Sequence, residues 1–214
     1  MKDMNKNSIT YPIGNSLYLN ITNRCLNDCG FCIRRKAKNF NGEYSLWLDQ
    51  EPTAEEIIKA IGDPNQYEQI VFCGYGEPLI RLDEIKQIAK KIRNQQPSNQ
   101  ATKPPVIRLD TNGQANLFWG RNIVPELKGL IDYVAVSLNA ESPALYQELC
   151  SSHFGEAAYP AILDFIKECK KCIPQVEASI VGLDIVNKEA CQKIAGQLGV
   201  PLRIRPYYEN KYVK

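Results

Sequence analysis

Two hydrophobic periods alternate along the chain. Leu17-Tyr18-Leu19-Asn20-Ile21 is a short apolar run with strand character. Thr53, with Glu56 three residues later, forms a capping-box signature that opens a helix through Ile57, Ile58 and Ile61, stopped by Gly62. Ile70-Val71-Phe72 predicts a second strand. Leu82 to Arg93 predicts a helix with Ile85, Ile88, Ala89 and Ile92 on one face. Val106 to Leu109 predicts a third strand, Ile123 to Leu130 a short helix and Tyr133 to Leu138 a fourth strand. Helices follow over Pro143 to Cys150 and Ala157 to Cys172. Val176 to Val181 is a fifth strand, Lys188 to Leu198 a helix and Leu202 to Arg205 a sixth strand.

Strands separated by helices predict a parallel α/β sheet with helices outside it. Such folds place their chemistry at the C-terminal ends of the strands. An eight-fold barrel typically takes ~250 residues. Six units in 214 residues therefore predict a partial (β/α)6 TIM-like barrel with parallel strands and a wide mouth. The length suits a single domain over 1–214, with an N-terminal extension at 1–15 and a polar, Pro-containing loop at 94–105.

Composition narrows the class. Lys plus Arg number 26 and Asp plus Glu 24, so the net charge of +2 gives no support to nucleic-acid binding through bulk charge. Nothing approaches the ~18 consecutive apolar residues of a membrane span. The polar stretch from Met1 to Tyr11 does not read as a secretory signal, so the expected location is the cytoplasm. In a reducing compartment the eight cysteines are expected as ligands, reactive thiols or buried small residues rather than disulfides.

Cys25, Cys29 and Cys32 follow the first predicted strand in a Cys-x3-Cys-x2-Cys spacing. Thiolate is the ligand form of cysteine, and soft sulfur suits zinc or an iron–sulfur cluster. Structural zinc prefers four ligands, and this motif supplies three. A four-iron cubane on three cysteines leaves one iron open to a small molecule. The second strand ends in Gly74-Tyr75-Gly76-Glu77-Pro78, the third in Thr111-Asn112-Gly113 and the fourth in Ser137-Leu138-Asn139.

This set of strand-end motifs, with Phe31 just before the last cysteine, resembles the radical S-adenosylmethionine (radical SAM) superfamily. The resemblance runs from about residue 16 to the end of the chain. It implies a [4Fe–4S] cluster on Cys25, Cys29 and Cys32, with S-adenosylmethionine on the open iron. Reduction of the cluster in such enzymes cleaves S-adenosylmethionine to methionine and a 5′-deoxyadenosyl radical, which abstracts hydrogen from substrate. Cofactor binding is then expected at Phe31, Gly74, Tyr75, Gly76, Glu77, Asn112, Ser137 and Asn139. Ile180 is expected at the adenine side, although Ala178 and Ile185 depart from the family pattern there. Asn20 to Cys25, Phe72 to Arg81 and Val136 to Ala140 are similar to radical SAM proteins associated with TatD-family nucleases, which implies a functional link to such a nuclease.

Arg203 and Arg205 alternate with Leu202 and Ile204, so an arginine is expected inside the barrel, facing the cofactor carboxylate or an anionic substrate. We count Arg205 among the cofactor-binding residues. Arg34 and Arg35, after the cysteine loop, and Tyr207 near the tail are candidates for the unknown substrate. An external electron donor is implied. Cys169 and Cys172 share the apolar stripe of their helix and read as core. His153 reads as a loop residue. Two other readings stand beside this one. The substrate is a macromolecule, protein or RNA, or the protein is a non-catalytic zinc or cluster carrier.

Overall fold

The computed structural model describes residues 8–36, 39–95 and 103–207. The polar loop at 94–105 and the N-terminal extension therefore lie partly outside the described residues. Nine strands are formed by the described residues: β1 (Thr10–Ile13), β2 (Ser16–Leu19), β3 (Asn39–Phe40), β4 (Tyr44–Ser45), β5 (Gln69–Phe72), β6 (Val106–Thr111), β7 (Tyr133–Ser137), β8 (Gln175–Val181) and β9 (Leu202–Arg205). The helices are α1 (Ile33–Lys36), α2 (Ala54–Ile61), α3 (Leu82–Asn94), α4 (Ala115–Trp119), α5 (Pro143–Cys150), α6 (Ala158–Cys172) and α7 (Lys188–Leu198).

Seven strands make one sheet in the order β1-β2-β5-β6-β7-β8-β9. All neighbours are parallel except β1 and β2, which form an antiparallel hairpin across Gly14, a residue at positive φ. The short strands β3 and β4 pair separately. The architecture is the partial TIM-like barrel. No helix among the described residues is long and apolar enough to cross a membrane.

The two-residue period of a strand sorts the sheet into two faces. Leu17, Leu19, Ile70, Phe72, Ile107, Leu109, Val134, Val136, Ala178 and Ile180 face the helices and are buried. The opposite face is polar. Tyr18, Val71, Arg108 and Tyr133 stand in one register row across β2, β5, β6 and β7. Asp110, Ala135 and Glu177 form the next row, and Ser137, Ser179 and Arg203 the one above.

Arg108, Asp110, Glu177 and Arg203 on this inner face neutralise one another. Arg108 binds Asp110 through Nε at 2.6 Å and Nη2 at 3.2 Å, and its guanidinium lies 4.8 Å from the Tyr133 ring centre. Glu177 pairs with Arg203 at 2.6 Å and with Arg108 at 3.9 Å. Arg108 and Glu177 are buried, so the lower barrel is plugged by charged pairs. On the outer layer, α2 carries the expected capping box at Thr53 and Glu56, while α3 buries Ile85, Ile88, Ala89 and Ile92. Acidic Asp83 and Glu84 start α3 and basic Lys91 and Arg93 end it, which favours its dipole.

Candidate active site

The C-terminal ends of β2, β5, β6, β7, β8 and β9 open on one side of the sheet, and the cysteine loop crosses this opening. The loop is anchored far from its own sequence. Asp28 N donates to Cys150 O at 2.9 Å, Gly30 N to Leu149 O at 3.1 Å and His153 N to Leu26 O at 2.9 Å. Asn27 also bridges Ser152 as an isolated antiparallel pair. Side chains reinforce this seam. Asn27 Nδ2 donates to Tyr146 Oη at 2.9 Å, and Gln114 Nε2 donates to Asn27 Oδ1 at 2.7 Å and to Tyr146 Oη at 2.9 Å. Ser152 Oγ completes the set on Gln114 Oε1 at 2.6 Å. All four residues are buried, so each lost bond would leave a costly unpaired group.

Cys25, Cys29 and Cys32 are free thiols, half-buried at the mouth. Burial pushes the Cys25 thiol up to about 12, with Glu77 adding to the effect. Burial also raises Cys32. Cys29 is raised chiefly by a hydrogen bond to Cys150, whose own thiol is lowered by that bond. Cys29 lies within electrostatic reach of both other cysteines of the motif. Among the described residues no three His, Cys, Asp or Glu side chains converge to hold a single metal ion. The donor set fits a cluster chemically: three soft sulfurs on one loop, in a pocket where thiolate becomes favourable once a cation neutralises it.

Arg34 and Arg35 are engaged by this loop. Arg34 donates to Asn23 O at 3.3 Å and Asn27 O at 3.0 Å, with Asp28 at 3.6 Å. Arg35 is paired with Asp28 at the surface. Their contacts make Arg34 a clamp on the cysteine loop and Arg35 its surface tie. Tyr207 stacks with Lys36, whose ammonium lies 4.9 Å from its ring centre and donates to its hydroxyl. Phe31 packs against the main core.

The turn after β5 lies flush against the start of the cysteine loop. A Cβ at Gly74 would meet Asn20 Cα at 2.9 Å, and one at Gly76 would meet Arg24 O at 2.5 Å. Glycine is thus required here by the chain's own backbone on the β2 side. Tyr75 is buried beside Tyr11 and Leu46, edge-on to Trp47 with ring centres 5.5 Å apart. Burial and the nearby Cys32 push Tyr75 up to about 12.

Glu77 ties the ends of β5 and β6 together. Its Oε1 accepts from Leu79 N at 3.1 Å and Thr111 Oγ1 at 2.7 Å, and its Oε2 from Asn112 N at 2.7 Å. Burial still pushes it up to about 7. Asn112 places its Nδ2 4.0 Å from Cys25 Sγ. Asn139, at positive φ, donates to Cys150 Sγ at 3.5 Å. Its Oδ1 and the Ser137 Oγ both face Arg205 Nη2, at 3.2 and 3.5 Å.

Asn112, Ser137, Asn139 and Arg205 therefore come together around the cysteines. The Ile180 side chain does not join them: it is fully buried in the sheet–helix core, because the strand period turns it away from the mouth. Cys150 joins them without having been singled out by sequence. Its only sequence signal is a cysteine closing an apolar helix, which reads as core. Cys169 and Cys172 pack with the core as expected. A surface cavity of about 580 Å³, lined by residues such as Asn15, Tyr67 and Val106, sits at the opposite ends of the strands and holds none of these groups.

The family model described as the Radical SAM superfamily matches residues 19–198. Members of that family use a [4Fe–4S] cluster and S-adenosylmethionine. No curated protein matches the chain. Among solved structures, the fold is similar to TYW1 with a lysine–pyruvate adduct bound, at 11% identity and a TM-score of 0.63, over 92% of this chain and 66% of that one. It is similar to HydG, a maturase of the [FeFe]-hydrogenase, at 14% identity and a TM-score of 0.60, over 91% and 43%. It is also similar to anSMEcpe with bound AdoMet, at 15% identity and a TM-score of 0.53, over 92% and 55%. The chain thus spans less than two thirds of the length of each of these three, and at these identities the likeness is one of fold. The matched span takes in the cysteine loop and every strand from β5 to β8, and the chain belongs to the radical SAM superfamily.

Proposed function

We propose that Cys25, Cys29 and Cys32 hold a [4Fe–4S] cluster and that S-adenosylmethionine binds over the strand ends beside it. The observation that carries this reading is that three free thiols on one loop lie at the same end of a parallel sheet as the polar groups of Asn112, Ser137 and Asn139. Together the cluster and S-adenosylmethionine supply, on one-electron reduction, a 5′-deoxyadenosyl radical that takes a hydrogen atom from substrate. The chain's residues orient and shelter that chemistry. Arg34 fixes the loop backbone, Glu77 fixes the spacing of β5 and β6, and Asn112 offers its amide to the sulfur of Cys25. Carbonyls of the Gly74–Gly76 turn are acceptors for the cofactor ammonium, and the Phe31 ring is an apolar wall for adenine. The whole chain is read as one domain around this site.

Anaerobic reconstitution with iron and sulfide, followed by a strong reductant and S-adenosylmethionine, tests the assignment. The wild type forms 5′-deoxyadenosine and methionine, and Cys29→Ala forms neither. A protein that loads no cluster, or a Cys29→Ala variant as active as the wild type, overturns it. The kinship to nuclease-associated proteins rests on the sequence motifs alone. Co-purification with a TatD-family nuclease under anaerobic conditions is the check on that link.

A further inference from the structure

One cysteine that meets the loop lies outside the three-cysteine motif. Cys150 closes α5 and is fully buried. Its sulfur accepts from Asn139 Nδ2 at 3.5 Å, and the thiols of Cys150 and Cys29 share a hydrogen bond. The influence of Cys29 on Cys25 and Cys32 is through-space charge. Of the four sulfurs, Cys29 and Cys150 are thus the pair in contact.

The backbone holds this pair in place. Asp28 N donates to Cys150 O and Gly30 N to Leu149 O, so Cys29 is clasped from both sides by the end of α5. The bridge between Asn27 and Ser152 belongs to the same antiparallel run. Two residues on from Asn27 is Cys29, and two back from Ser152 is Cys150. Facing residues of antiparallel segments have Cα atoms about 4.5–5.5 Å apart, inside the range of about 4.4–6.8 Å that a disulfide spans. Cys29 is half-buried at the mouth, where a small oxidant meets it before it meets Cys150.

We propose that Cys29 and Cys150 are a disulfide-forming pair in the cluster-free protein, closed by a small peroxide and reopened by thiols. Hydrogen peroxide converts the Cys29 thiol to a sulfenic acid, and one water leaves. The Cys150 sulfur then displaces the sulfenic oxygen, which leaves as a second water. In sum two S–H bonds and one O–O bond break, and one S–S bond and two O–H bonds form. The two sulfurs give up an electron pair and the peroxide takes it. With no partner thiol in contact, the sulfenic acid would go on to the irreversible sulfinic acid. The consequence for loading rests on the cluster reading above: a Cys29 sulfur bonded to Cys150 is withdrawn as a ligand, and reduction returns it undamaged.

The test uses the full chain, reduced and free of metal, with a small molar excess of hydrogen peroxide as the probe. Remaining thiols are blocked with N-ethylmaleimide and the chain is cut with trypsin. Cleavage after Arg24 and Arg34 releases residues 25–34, which hold the three motif cysteines, and cleavage after Lys128 and Lys167 releases residues 129–167, which hold Cys150 alone. Mass spectrometry of the wild type is expected to find these two peptides linked, and separated by dithiothreitol. Cys25→Ala and Cys32→Ala keep the link, and Cys29→Ala loses it. A link confined to residues 25–34, or none at a dose that oxidises Cys29, overturns the proposal.

A second arm reads the protection. After peroxide and then dithiothreitol, Cys150→Ser, which keeps a small polar group beside Asn139, is expected to carry severalfold more sulfinic acid at Cys29 than the wild type and to bind correspondingly less iron on reconstitution. Equal sulfinic acid in the two proteins overturns the proposal. If the reduced, untreated wild type loads no cluster, the cofactor reading fails, while the disulfide is judged by the peptide masses alone.

Discussion

Glu77 is a carboxylate with three hydrogen-bond donors and, among the described residues, no salt-bridge partner. Its donors favour the ionised form, yet burial dominates and lifts it from the ordinary carboxylate range to about 7. Its folded value lies above its unfolded one, so the folded chain keeps this proton to higher pH. The stability it contributes is complete below about pH 4.5 and is lost as the pH rises through about 7. Urea unfolding between about pH 5 and about pH 8 should show the wild type losing on the order of 1–3 kcal/mol that Glu77→Gln, which does not titrate, fails to lose. At this scale much was legible in the sequence. Gly74, Gly76 and Glu77 were recognisable as a strand-end turn, but the reason for the glycines was not. Their neighbours are Asn20, Thr22 and Arg24, which only the pairing of β2 with β5 brings close. Arg34 and Arg35, substrate candidates from the sequence, also hold the loop before them, which no local pattern announced.

Elements were legible where a period had room to repeat. The stripe of α3 and the cap of α2 match the expected boundaries to within a residue or so. Removing the cap with Thr53→Ala should cost about 1 kcal/mol and lower the melting temperature by about 3 °C, readable by calorimetry. The pieces α1, α4, β3 and β4 have two to five residues each, too few for any period to show. The helix expected over Ile123 to Leu130 shrinks to a 3-10 turn at Val124–Leu127. Gly129, at positive φ, turns the chain away before a second turn can form. Thr10–Ile13 reads as polar extension because only Tyr11 among its residues is buried, yet it completes the sheet by pairing with β2.

For the whole molecule, strand-end chemistry followed from the alternation of strands and helices, because parallel connections force every loop of one kind to one side. What holds the cysteine loop did not follow, because the Asn27–Gln114–Tyr146–Ser152 network joins residues with no local relation. Gln114→Leu should strand the amide oxygen of Asn27 and the hydroxyl hydrogen of Ser152 in a dry interior. We expect a loss of roughly 2–3 kcal/mol in unfolding and less iron retained after reconstitution, measured against sulfide content. A variant that keeps its full iron would limit the network to stability alone.

The anchoring of residues 26–30 on residues 149–153 also sets an order of events during synthesis. At about 5–20 residues per second, the cysteines leave the ribosome roughly ten seconds before their anchor does. In that interval Cys25, Cys29 and Cys32 belong to an untethered segment, open to oxidation and to stray metals. With the cluster on these cysteines as proposed, iron and sulfide delivered before α5 emerges would meet ligands without a frame, so the productive time for cluster delivery begins only when the second half of the barrel has arrived.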